Sequence, residues 1–174
     1  MSSLSQRKIC LIGNFNVGKT SLIRRFVENK FSDDYLTTIG VKISRKLVKL
    51  TDLEKQVNFL IWDIEGKTKE NEISSNYLQG AAGAIIVGDL TRVNTLEAIP
   101  KHIQSFLGIN PQSSVIVALN KSDLVDQIKL NKLVELFSCQ NQDQVLASYV
   151  TSAKTGEFVN IMFNELAANL IRDI

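Results

Sequence analysis

Residues Ile9 to Ser21 read ICLIGNFNVGKTS, and the rest of the chain is understood from this stretch. An apolar run leads into Gly13, four residues intervene, and Gly18, Lys19 and Thr20 open a helix-forming segment. That spacing is the signature of a loop wrapped around phosphate. Such a loop aims several backbone N–H groups inward, where side chains would obstruct them, so glycine stands where the main chain turns or comes closest. Lys19 supplies a charge for the β- and γ-phosphates and Thr20 a hydroxyl for Mg²⁺. The helix that starts there adds the positive end of its dipole.

Working outward, the pattern predicts a strand over 7–12, a helix over 19–28 and an irregular stretch through 41. Strands near 42–50 and 56–62 follow, joined by the polar turn Thr51 to Lys55. A short helix is expected around 73–79, then a strand at Ala84 to Val87 whose unbroken apolar character suits burial on both faces. A helix over 95–107 gathers Leu96, Ile99, Ile103 and Phe106 on one side despite Pro100. After it come a strand from Ser114 to Leu119, a helix near 130–138 and a short strand from Tyr149 to Thr151. The last helix is amphipathic, and its Val159, Met162, Phe163, Leu166 and Leu170 read as core. Strands alternating with helices predict an α/β fold: a mostly parallel sheet with helices on both faces, the second strand antiparallel because of its hairpin. In such sheets ligands bind at the carboxyl ends of the strands.

The length of 174 residues suits one domain, 1–174, and no linker or repeat divides it. With 44% hydrophobic and 22% charged residues the composition is that of a soluble globular chain. A net charge of +2 is too weak to argue for nucleic acid, no long basic run with interleaved aromatics supports it, and the cluster Lys42, Arg45, Lys46 and Lys49 reads as a solvated strand face. No window is long and apolar enough to cross a bilayer, and MSSLSQRK lacks the apolar core of a signal peptide, so a cytoplasmic protein is expected. Cys10 and Cys139 fit reduced thiols, and the single histidine, His102, makes histidine-based catalysis an unattractive reading.

The other strand ends carry matching parts. Strand 56–62 runs into Asp63 and Gly66: the carboxylate can hold Mg²⁺, usually through water, and the glycine lets a backbone N–H approach the γ-phosphate. Strand 114–119 ends in Asn120-Lys121-Ser122-Asp123, and strand 149–151 runs into Ser152-Ala153-Lys154. Asp123 can accept from the two donors on the Watson–Crick edge of guanine, an arrangement adenine lacks. Asn120 can tie the loops together, Lys121 and Lys154 can lay their aliphatic stems over the base, and the Ala153 N–H can meet the guanine O6. Standing alone, NKSD would read as an ordinary helix N-cap through Ser122 or Asp123.

Together these motifs resemble the Ras superfamily of small GTPases, and Thr38 to Val41 (TIGV), WDIEG and YLQGAAGAIIVGDLT are most similar to its Rab branch. The resemblance runs from about residue 6 to 172. It implies a six-stranded sheet with five helices, GTP and GDP as ligands, Mg²⁺ as cofactor, a role in vesicle trafficking, and switching between two conformations. It places Asn14, Phe15, Asn16, Val17, Gly18, Lys19, Thr20 and Ser21 around the phosphates, and Asn120, Lys121, Asp123, Ser152, Ala153 and Lys154 around the base. Phe31 should flank the guanine, Tyr35 should cover the phosphates, and Thr38 should join Thr20 and Asp63 at the metal when GTP is bound. Segments 31–41 and 64–79 would be the two switches, through which an effector, an exchange factor and an activating protein engage a monomer. The implied catalytic set is Lys19, Thr38, Gly66 and the residue after it. Membrane attachment is expected only through a lipidated tail beyond Ile174, since no cysteine follows Cys139.

Two positions depart from the family. Lys67 follows Gly66 where a glutamine ordinarily orients the attacking water, with Glu65 before it in place of a small residue. Lysine has no acceptor and cannot hold water as an amide does. Phe15 stands in the phosphate loop where many relatives have a small residue, either projecting towards the space of a partner's arginine finger or folding onto switch II or the surface. A slow GTPase is expected. The alternative is a binding module that holds a guanine nucleotide structurally and never cycles.

Overall fold

Ser5–Ile12 forms β1, and its last four residues are fully enclosed because strands pair with it on both sides. This is a computed structural model, and it describes residues 5–34, 37–66, 75–139 and 142–172. Val41–Leu50 (β2) and Lys55–Ile64 (β3) make the expected hairpin, antiparallel from Val41 opposite Ile64 to Leu50 opposite Lys55. The chain reverses through a short 3₁₀ turn at Thr51–Leu53 and Glu54 at φ 49°. β3 lies parallel to one side of β1 and Gly83–Asp89 (β4) to the other. Ser114–Asn120 (β5) and Val145–Val150 (β6) extend the sheet to the order β2-β3-β1-β4-β5-β6. The six strands, all parallel except β2, match the expected architecture.

Parallel neighbours require crossovers, and these cover both faces. On one face Lys19–Glu28 (α1) and Val159–Arg172 (α6) pack over Ile9, Leu11, Phe59, Ile61, Ile85 and Val87. All five apolar residues expected to form the α6 stripe are buried. The rings of Phe26 and Phe163 stack at 4.0 Å, 3° from parallel, fastening α1 to α6. Truncating either to alanine should cost about 3–5 kcal/mol. On the other face Ser75–Leu78 (α2), Val93–Glu97 (α3), Ile99–Ile109 (α4) and Gln127–Phe137 (α5) pack over Cys10, Ile12, Ile86, Val115, Val117 and Leu119.

Some boundaries differ from expectation. The helix expected over 95–107 is two helices, α3 and α4, because Pro100 falls in the first turn of the second, where its missing N–H is not needed. The four residues assigned to its apolar side are nonetheless all buried. The described helices therefore number six rather than five. α5 begins at Gln127, three residues earlier than expected, because the Asp126 carboxylate caps it, accepting the Lys129 N–H at 2.9 Å. β6 begins four residues early and, at the sheet edge, is mostly half-buried, so no apolar run announced it. Of the helix expected over 73–79, residues 73 and 74 lie outside the described residues. Lys42, Arg45 and Lys49 are exposed as expected, whereas Lys46 is half-buried and donates to the Val27 carbonyl at 3.2 Å. No described helix is long and apolar enough to cross a membrane.

Candidate nucleotide and metal site

The carboxyl ends of β1, β3, β5 and β6 converge on one cavity of about 340 Å³. Its phosphate-loop wall is built from the turn between β1 and α1. Gly18 sits at φ 101°, and a Cβ there would lie 2.3 Å from Asn120 Nδ2, so only glycine fits both the backbone and the space. Gly18 also caps α1 without a side-chain hydrogen bond, and no acidic residue follows in the first turn. The N–H groups at that helix end are thus left for an anion. The Lys19 ammonium is buried and donates to the carbonyls of Gly13 (3.0 Å) and Asn14 (2.9 Å). Burial drives its pKa down to about 8; Asp63 and Glu65 oppose that shift and Arg92 adds to it.

Behind Lys19, three oxygen-bearing side chains meet. Thr20 Oγ1 donates to Asp63 Oδ2 at 2.6 Å, Thr38 Oγ1 lies 2.9 Å from Thr20 Oγ1, and Thr38 also donates to Asp63 Oδ2 at 3.4 Å. Asp63 is buried, and its Oδ1 has no hydrogen-bond partner. Burial raises its pKa against the pull of Thr20, Lys19, Thr38 and Lys42. An orphaned buried carboxylate oxygen beside two hydroxyls fits a small hard dication such as Mg²⁺. Among the described residues no group of three His, Cys, Asp or Glu gathers to hold a metal. A cation here therefore needs further oxygens from a ligand, which is how Mg²⁺ sites that share substrate phosphates are built.

The opposite wall is held by interlocked side chains. Asn120 Nδ2 donates to the Val17 carbonyl at 3.0 Å while its Oδ1 accepts from Thr151 Oγ1 at 3.1 Å, which ties the loops as expected. Asp123 Oδ1 accepts from Ser152 Oγ at 2.6 Å, so the carboxylate is aimed by the next loop. NKSD is not the cap of α5: Ser122–Leu124 is a separate 3₁₀ turn, entered through Lys121 at φ 68°.

Of the residues expected at the ligand, Phe15, Asn16, Gly18, Lys19, Thr20 and Ser21 line the cavity from the phosphate loop. Phe31, Thr38 and Gly66 line it from the two candidate switches, and Asn120, Lys121, Asp123, Ala153 and Lys154 from the base side. Asn14, Val17 and Ser152 stand behind this wall and act through the bonds just described. Tyr35 and Lys67 lie outside the described residues. Gly66 packs directly on the phosphate loop, where an added Cβ would come 2.5 Å from the Phe15 nitrogen. Phe15 is 37% exposed and is among the residues that line the cavity.

Several supporting residues escaped the sequence reading. Arg25 on α1 donates to the carbonyls of Ala153 (2.8 Å) and Lys154 (2.6 Å), holding the base loop from below. Asp89 and Arg92 join Lys121, itself expected at the base, in a linked group described below. His102 Nε2 lies 2.9 Å from Asn14 Oδ1. Only Lys121 carried any signal, through its motif; the rest sit in stretches whose local pattern is ordinary helix or strand end.

A profile of the Ras family matches residues 8–172. The chain belongs to the Ras superfamily of small GTPases, in its Rab branch. This small GTPase is 33% identical to human Ras-related protein Rab-22A over 171 residues, covering 97% of the chain and 85% of that relative. It is 35% identical to Ras-related protein RABF2b of Arabidopsis thaliana over 166 residues, 95% of the chain and 81% of the relative. To GTP-binding protein ypt4 of Schizosaccharomyces pombe it is 28% identical over 170 residues, 96% of the chain and 72% of the relative. Each of these matches spans nearly the whole of this small GTPase.

Proposed function

We propose that this small GTPase is a guanine-nucleotide switch in vesicle traffic that hydrolyses GTP slowly and reaches its partners through residues 31–41 and 64–79. The observation that carries the reading is the meeting of Thr20, Thr38 and Asp63, with the Asp63 Oδ1 left unpartnered. Thr38 belongs to the first of those segments, so a γ-phosphate and its metal would hold that segment directly. Thr20, Thr38 and Asp63 would hold Mg²⁺, which when bound neutralises charge on the β- and γ-phosphates. Lys19, already stripped of water, places its ammonium against the same phosphates. Asp123, aimed by Ser152, selects guanine, and Lys121, Lys154 and Phe31 line the faces of the base. Ile39, 86% exposed beside Thr38, presents an apolar side chain to a partner where the segment is held.

Slow hydrolysis rests on two side chains. Lys67 offers no acceptor for the attacking water. Phe15, one of the residues that line the cavity, would set a ring in the way of a partner's arginine, a contribution worth roughly 10³ to 10⁵ in rate elsewhere. The test is single-turnover GTP cleavage by the wild type beside Lys67→Gln, Phe15→Gly and the double variant, with the co-purifying nucleotide identified by extraction. Intact GTP in the wild type and faster cleavage in the variants are expected. Equal rates in all four proteins would end the slow-hydrolysis reading.

A structural module that never cycles is the competing reading. A purely structural site has no use for Thr38 beside the metal ligands. Nucleotide exchange with and without Mg²⁺ separates the two: a switch speeds up when the metal is removed, and a static module does not.

A further inference from the structure

Asp89 ends β4 fully buried, with both carboxylate oxygens engaged. Oδ1 accepts the Thr91 N–H (2.9 Å) and hydroxyl (2.6 Å), while Oδ2 accepts Arg92 Nε at 3.1 Å and Lys121 Nζ at 2.8 Å. Burial alone would disfavour its charge; the bonds from Lys121 and Thr91 and the Lys121 charge outweigh that and hold its pKa below the usual range. Neither cation ends at Asp89. An Arg92 terminal nitrogen donates to the Phe15 carbonyl at 2.6 Å, and Lys121 Nζ donates to the Asn16 carbonyl at 2.8 Å. Asn120 takes the next carbonyl, that of Val17.

Three consecutive carbonyls of the phosphate loop are therefore gripped from the same side of the molecule. A trans peptide is planar, with its N–H directed opposite its C=O. Fixing the carbonyls of Phe15, Asn16 and Val17 thus fixes the N–H directions of Asn16, Val17 and Gly18. Those are the donors a phosphate would use. Asn120 and Lys121 come from the base-reading motif, but Arg92 comes from the turn after β4, and it extends the grip by one residue to the position of Phe15.

We propose that Arg92, oriented by Asp89, is a positioning residue that fixes the phosphate loop at Phe15 and so slows the release of nucleotide. The proposal rests on the reading of the cavity as a guanine-nucleotide site. The task suits arginine because one planar group bonds Asp89 through Nε and, through a terminal nitrogen, the carbonyl of Phe15, which lies 77 residues before Arg92 in sequence. Lys121 bridges Asp89 and the Asn16 carbonyl from one nitrogen, whereas Arg92 reaches its two oxygens from separate nitrogens held in one plane, a geometry that a lysine at this position does not reproduce.

The experiment follows release of a fluorescent GDP from the full chain, comparing wild type, Arg92→Ala and Arg92→Lys, with unfolding midpoints of the nucleotide-free proteins and the guanine-over-adenine preference measured alongside. Both variants should release GDP about tenfold faster, the loss of one charge-assisted bond. The preference should stay unchanged because Asp123 is untouched, and the midpoints should shift by no more than a few degrees. Release within twofold of wild type in both variants overturns the proposal. So does full retention of slow release by Arg92→Lys, which would assign the effect to charge and not to the fork. So does faster release that tracks an equal fall in midpoint, which would make Arg92 merely structural. A wild type that binds no guanine nucleotide would instead overturn the reading of the cavity, an outcome seen before any variant is made.

Discussion

Gly40 and Glu65 are joined twice. The Glu65 N–H donates to the Gly40 carbonyl at 2.8 Å, and the Gly40 N–H donates to Glu65 Oε2 at 2.9 Å. The pair prolongs the β2–β3 ladder one step beyond Val41 and Ile64 and stitches the base of segment 31–41 to that of segment 64–79. One stitch is backbone and belongs to any residue; the other is the carboxylate of this chain's unusual Glu65. Glu65→Ala should therefore lower stability by about 1 kcal/mol and loosen the Gly40 amide, while Glu65→Gln, which keeps an acceptor oxygen, recovers most of the loss. Hydrogen exchange at Gly40 measures it. Unchanged protection in Glu65→Ala would mean that the side-chain stitch is idle.

Gly18→Ala meets two penalties at once, a φ of 101° and a Cβ 2.3 Å from Asn120 Nδ2. Backbone strain alone is worth about 1–3 kcal/mol. Relief by moving Asn120 would cost the bond to Val17, so nucleotide affinity should fall together with stability. Urea denaturation and GDP titration read the two effects. A stable Gly18→Ala protein with wild-type affinity would contradict the crowding described.

Asp63→Asn should act with opposite signs on stability and on metal binding. Burial raises the Asp63 pKa, so without a cation the charge is a burden on the fold. The folded state then holds a proton that the unfolded chain has already lost. Metal-free stability accordingly declines as pH rises from the ordinary carboxylate value to the raised one, and is not regained above it. The asparagine variant lacks that slope and should be at least as stable as wild type above this window. Its Mg²⁺ affinity, measured with nucleotide bound, should drop by about 10- to 100-fold, as for other residues that orient a metal site. A fall in both quantities would show that the carboxylate serves the fold first.

Lys19 gives the nucleotide affinity a pH dependence. In the free protein burial lowers its pKa to about 8. Phosphate bound beside it favours the charged form and raises that value, so above pH 8 the complex holds a proton that the free protein has shed. Affinity for GDP should be insensitive to this group below about pH 7 and should fall as pH climbs through 8. Calorimetry at pH 8.5 in buffers of different ionisation enthalpy should register proton uptake on binding, and uptake should vanish in Lys19→Met. Proton release would contradict the geometry.

What was legible in the sequence is what is local. Gly13 to Thr20 and Asn120 to Asp123 each compress a wall of the cavity into a few consecutive residues, and the apolar runs of β1, β4 and β5 announced strands enclosed on both sides. β6 was misplaced because an edge strand buries only part of itself and leaves no run to see. The long helix was drawn through Ala98 because the apolar spacing continues across the break, and Pro100 reads equally as a flaw or as a first-turn residue. Arg25, Asp89 and Arg92 were invisible for another reason. Each works by bonding a main-chain carbonyl or a charge far away in sequence, and nothing in a neighbouring residue marks a carbonyl as spoken for.

The stacking of Phe26 on Phe163 has a consequence for the order in which the molecule is made. The first wall of the cavity is synthesised by residue 20, but the helix behind it lacks Phe163 and the rest of its second support until α6 arrives, and the base loop comes only at 152–154. At about 5–20 residues per second, the emerging phosphate loop waits many seconds for the rest of its pocket. Ligand capture therefore waits for α6, and a chain cut short before that helix should emerge empty.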